Sequence, residues 1–204
     1  MCMKTLWNHF VESSEIEEAE NTFELLRNLY SEEHRFYHNL DHIRFLLALF
    51  EEFSGSINDK AVVFFSIWFH DAVYAPRKKD NEKQSAKLAV ERLRKLFIPE
   101  DKISKIEKII LATEKHRAEN LDEDGKIFLD FDLAILGSET KIYKNYAQAI
   151  RKEYGFVKDA DYKAGRKAVL QNFLRRDFIY FSQLMRERFE ANAHRNIKRE
   201  ISEL

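Results

Sequence analysis

The apolar run Phe64-Phe65-Ser66-Ile67-Trp68-Phe69 ends in an adjacent imidazole and carboxylate, His70-Asp71. A stretch this rich in aromatic and aliphatic side chains belongs in a core, where an unpaired buried charge costs several kcal/mol. A bound metal ion is the simplest partner for both groups. The dipeptide alone says little, but further donors flank other apolar segments. Arg35-Phe36-Tyr37-His38-Asn39-Leu40-Asp41-His42 lies upstream, and Thr113-Glu114-Lys115-His116 and Asp130-Phe131-Asp132-Leu133 lie downstream. His42, His70, Asp71 and Asp132 together offer two neutral imidazoles and two carboxylates. That donor set suits Mn, Fe, Co, Ni, Zn or Mg and leaves open positions for water and substrate. The single cysteine, Cys2, rules out an intramolecular disulfide and a Cys-based zinc site, so N and O donors must hold any ion.

Helices must position these groups. Five Gly and two Pro against 17 Phe describe a chain with few turns and large core side chains. Ser14 and Glu17 read as a capping box opening a helix to about Ser31, with Ile16, Ala19, Phe23, Leu26 and Tyr30 on one face. Asn39 reads as the N-cap of a second helix that places His42 in its first turn. Gly55 closes that helix and Asn58 caps the next, which runs to His70-Asp71 and ends at Pro76. Asp80 or Asn81 starts another, and Pro99 marks the first turn of an Ile-rich one. Residues 117–126 are polar and read as the longest surface loop. Phe128 to Leu136 alternates enough for a strand, but a lone strand has nothing to pair with, so it reads as helix. Gly137 ends it, Ser138 restarts a helix toward Glu153, and about Asp161 to Leu204 forms further helices. No repeat or linker appears, which predicts one all-α domain over 1–204.

Net charge is -1, so no basic field draws nucleic acid. The run from Ala61 to Phe69 is too short to span a bilayer, which takes about 20 residues. The first ten residues lack a signal-peptide pattern, and the expected compartment is the cytoplasm.

The ordered pattern of His, then His-Asp, then a distant Asp on helical segments resembles the HD-superfamily metal-dependent phosphohydrolases. Fuller strings are Tyr-His-Asn-x-x-His-Ile at 37–43, His-Asp-Ala-Val-Tyr at 70–74, Asn-Glu-x-x-Ser-Ala at 81–86 and Asp-x-Asp-Leu-x-x-Leu-Gly at 130–137. These resemble a bacterial subgroup with no assigned substrate, and the resemblance covers about residues 30–180.

The resemblance implies that His42, His70, Asp71 and Asp132 are the metal ligands. A core histidine bonded to a carbonyl and a helix-capping carboxylate are the plain alternatives for His70 and Asp132. It further implies hydrolysis of a phosphoester or phosphoanhydride, as in a nucleotide, by a metal-activated water. Glu82 or His116 would handle protons, and Arg35, His38 and Arg77 would contact the phosphorylated small molecule. Glu82 would equally suit a helix N-terminus for dipole reasons alone. Relatives that hydrolyse guanosine tetraphosphate carry Glu-Asp just after the His-Asp pair. Here Val73-Tyr74 stand there, so that activity does not carry over. Two rival classes remain: a di-iron oxygenase, with His38 and His116 as extra ligands, and a non-catalytic metal- or nucleotide-binding regulator. Apolar helical surface in the C-terminal third serves either as core or as a homodimer interface.

Overall fold

Helices follow one another with no strand among the described residues. They are α1 (Met3–Phe10), α2 (Ile16–Leu29), α3 (Leu40–Glu52), α4 (Lys60–Phe69), α5 (Asn81–Lys95), α6 (Glu100–Ala112), α7 (Glu123–Leu133), α8 (Thr140–Glu153), α9 (Asp159–Leu174), α10 (Gln183–Met185) and α11 (Ala191–Glu203). This is the expected all-α class, in a computed structural model that describes residues 3–12 and 14–204. Cys2 lies outside the described residues. The chain divides into two compact units, Met1–Phe128 and Leu129–Leu204, with the boundary inside α7. No helix among the described residues is long and apolar enough to cross a membrane.

In the first unit α4 takes the centre. Every residue from Val62 to Phe69 is buried, because the helix has almost no polar face to turn to water. Helices α3, α5 and α6 pack against it. From α1, Trp7 lays its ring 5.7–6.1 Å from those of Phe64, Phe65 and Trp68. Each aromatic side chain removed from water in this way contributes about 1.5–3 kcal/mol. The helix begins where the Asp59 carboxylate accepts from the N–H groups of Ala61 and Val62. Asn58, the expected cap, is otherwise engaged: its main-chain N–H and side-chain amide both donate to Asp124.

Two other expectations shift. The Ser14–Glu17 box does not form, because the Ser14 hydroxyl donates to the Leu96 carbonyl at 2.7 Å. Glu15 precedes α2 without a side-chain cap. The loop expected to run to Lys126 is shorter, since α7 starts at Glu123. Glu123 and Asp124 fill its first turn, where negative charge suits the helix dipole. Phe128 to Leu136 is helical as expected, passing into a 3₁₀ turn at Ala134–Gly137.

In the second unit α11 packs on that turn and on α9. Gly137 is required there, since a Cβ would stand 2.5 Å from Phe189 Cβ and 2.6 Å from its carbonyl oxygen. Asn196 donates to the carbonyls of Leu136 and Ser138 at 3.0 and 2.8 Å. A buried polar network joins α8, α9 and α11. Arg166 donates twice to Glu200, at 2.8 and 3.2 Å, and once to the Tyr146 hydroxyl at 3.1 Å. Tyr143 donates its hydroxyl to Glu200. Burial and the Glu200 charge push the Tyr143 phenol far above its ordinary range.

Candidate metal centre

His42 owes its place to Asn39. The Asn39 Oδ1 accepts from the N–H groups of Asp41 and His42 at 2.9 and 3.4 Å, and its Nδ2 donates to the Arg35 and Phe36 carbonyls. This cap sets the first turn of α3 and leaves His42 buried. His70 ends α4 and is 1% exposed. Its Nδ1 lies 3.0 Å from the Ile67 carbonyl. A carbonyl can only accept, so Nδ1 carries a proton, and in the neutral ring Nε2 is then left with its lone pair.

That nitrogen faces a second imidazole nitrogen and a carboxylate oxygen. His70 Nε2 is 3.2 Å from His42 Nε2 and 3.1 Å from Asp71 Oδ2. Acceptors converging at this range need a proton or a cation among them. Donors held at about 2.1 Å from one divalent ion lie about 3.0–3.4 Å apart, which is the spacing seen here. On α7, Asp132 follows one turn after Phe128, whose ring is 5.5 Å from that of His70. His42 and His70 belong to a group of side chains that could hold a metal ion. The carbonyl bond of a plain core histidine is therefore present at His70, and it also fixes the tautomer a ligand needs.

His38 adjoins Asp71, with Nε2 3.9 Å from Oδ2. Its ring packs 4.2 Å from that of Tyr74. Arg35, expected at the substrate, has a fully buried side chain. Its Nε donates to Glu32 at 2.9 Å, NH1 to the carbonyls of His38 at 3.1 Å and Asp71 at 2.7 Å, and NH2 to that of Ala72 at 2.9 Å. The guanidinium thus ties the His38 loop to the Asp71 turn, and its donors point at protein.

Glu82 lies half-buried in the first turn of α5 and makes no hydrogen bond or ion pair with another described residue. Arg77 is exposed in the connection from α4 to α5. His116 stands after α6 with φ 46, in the left-handed region that few residues other than glycine adopt. That group includes none of these. Asp130, two residues before Asp132, has other work. It accepts from the N–H groups of Phe181 and Ser182 at 2.6 and 2.7 Å and from the Ser182 hydroxyl at 2.6 Å. Burial pushes its pKa up to about 6 against the pull of those donors.

Sequence reasoning missed the side chains that hold the Asp71 segment from α5. The Ser85 hydroxyl accepts from the Val73 N–H at 3.0 Å and donates to the Val73 carbonyl at 3.2 Å. Asn81 brackets Ala75 in the same way, with both bonds 3.1 Å. The signal was available: Asn81 and Ser85 are four residues apart at a helix start, hence on one face.

Comparison with known protein families, with curated proteins and with solved structures finds no match for this chain.

Proposed function

We propose that this chain is a metal-dependent phosphohydrolase of the HD type, cleaving a phosphoester or phosphoanhydride of a nucleotide. The observation that carries the reading is the approach of His42 Nε2 to His70 Nε2 at 3.2 Å, with Asp71 Oδ2 3.1 Å from His70 Nε2 and the His70 ring held by the Ile67 carbonyl. Those three side chains and Asp132 would hold the ion. A divalent ion in such a donor set supplies Lewis acidity and lowers the pKa of water toward 7.

The chain's own residues supply the rest. Glu82, a carboxylate without a hydrogen-bond or ion-pair partner among the described residues, takes or returns the proton of the attacking water or the leaving group. Arg77, with Lys78 and Lys79 in the same exposed stretch, offsets phosphate charge. His38, packed on Tyr74 beside Asp71, orients the phosphate. Arg35 supports the site from beneath.

The test is metal content of untagged protein beside Asp71→Ala and Asp132→Ala, followed by a nucleotide hydrolysis screen with the metal found. About one equivalent in the wild type, lost in the variants together with turnover, is the expected result. Turnover that survives in both variants overturns the reading, and two equivalents of iron replace it with oxygen chemistry.

A further inference from the structure

The segment from Asp71 to Ala75 has no regular structure, yet its main chain is bonded almost throughout by side chains from elsewhere. Arg35 takes the carbonyls of Asp71 and Ala72. Ser85 takes both main-chain groups of Val73, and His34 Nε2 lies 2.8 Å from the Tyr74 carbonyl. Asn81 takes both main-chain groups of Ala75. Loops of this length ordinarily leave such groups to water and move accordingly. Here the carboxylate that faces His70 is carried on a segment fixed at each step.

We infer that Arg35, Asn81 and Ser85 are positioning residues of the metal centre, an inference that rests on the metal reading above. None of the three is suited to be a ligand. Arg35 has only donors, and both polar atoms of Asn81 are engaged with Ala75. The Ser85 hydroxyl is fully buried between the two groups of Val73. What they do is set Asp71 against its neighbours. Arg35 does so most directly, because the same NH1 bonds the carbonyls of His38 and Asp71 and so joins the two main-chain stretches whose side chains meet at 3.9 Å. Lysine keeps the charge but cannot span three carbonyls with a planar fork.

The test is a Co²⁺ titration of chelator-stripped protein, read by visible absorption, on the wild type, Arg35→Lys and Ser85→Ala. Ser14→Ala serves as control, since it deletes a comparable side-chain bond to the main chain at the far end of α5. Circular dichroism checks folding, and the one-atom deletion in Ser85→Ala keeps the test decisive where Arg35→Lys fails to fold. The expected result is a Co²⁺ Kd raised about 10- to 100-fold in both variants, the range for supporting partners of a ligand. A changed band envelope should accompany it, with both readouts unaltered in Ser14→Ala. Wild-type affinity and spectrum in the variants, or an equal loss in the control, overturns this inference and leaves the metal reading standing. A wild type that binds no Co²⁺ overturns both.

Discussion

Removing one imidazole should cancel most of the stabilisation that a metal ion gives the fold. An ion that binds only the native chain, at about 100 times its Kd, stabilises it by about 2.7 kcal/mol. For a chain of 204 residues each kcal/mol raises Tm by about 2–4 °C, so Co²⁺ or Mn²⁺ should raise it by about 5–11 °C. His70→Gln deletes the ring whose Nε2 lies 3.2 Å from His42 and 3.1 Å from Asp71. Loss of a direct ligand weakens binding by at least about 100-fold, the upper figure for a supporting partner. The same ion concentration is then close to Kd, and only about 0.4 kcal/mol, or about 1–2 °C, remains. Far-UV circular dichroism melts of stripped protein, with and without ion, measure both shifts. The variant also loses its bond to Ile67, worth about 1 kcal/mol, so each rise is taken against the same protein without metal. Equal rises in the two proteins, or none in the wild type with any divalent ion, would refute the assignment.

Glu82→Gln should leave metal content intact and lower hydrolytic turnover by about 10²- to 10⁴-fold, the share of general acid–base catalysis; unchanged turnover removes Glu82 from proton transfer. Gly137→Ala should cost about 1–3 kcal/mol in urea unfolding, since the added methyl meets the Phe189 main chain at 2.6 Å, and wild-type stability would mean that the contact relaxes freely. Tyr143, Tyr162 and Tyr180 all have phenol pKa values raised by burial. The unfolded chain gives up these protons near pH 10 while the native chain keeps them, so stability should fall as pH rises above about 10. Phenolate absorbance should show Tyr143 and Tyr180 ionising only on unfolding, and eight tyrosines titrating together near pH 10 in folded protein would contradict it.

The class of fold and the two central imidazoles were readable because their causes are local. Scarce Gly and Pro and helical spacing announce helices, Asn39 announces the start that buries His42, and an apolar run that stops at His70 announces its depth. What escaped depends on partners distant in the chain. Ser14 fits a capping box until the Leu96 carbonyl, 82 residues away, takes its hydroxyl. Arg35 beside a histidine reads as a phosphate contact until the carbonyls of Asp71 and Ala72 claim its donors. The spacing of Asp130 and Asp132 says that they face apart. It does not say which one meets the N–H groups of Phe181 and Ser182.

The bracing of residues 71–75 separates two kinds of change open to this protein. The hydrogen bonds that shape the segment come from side chains on other elements and end on its main chain, so they are indifferent to which side chain stands at Val73, whereas the Tyr74 ring packs on His38 and under Arg35. Substitution at Val73 alters the surface beside Asp71 without altering the path of the backbone. On the metal reading, a lineage built on this arrangement can change Val73 in single steps, with the ligand frame undisturbed at each.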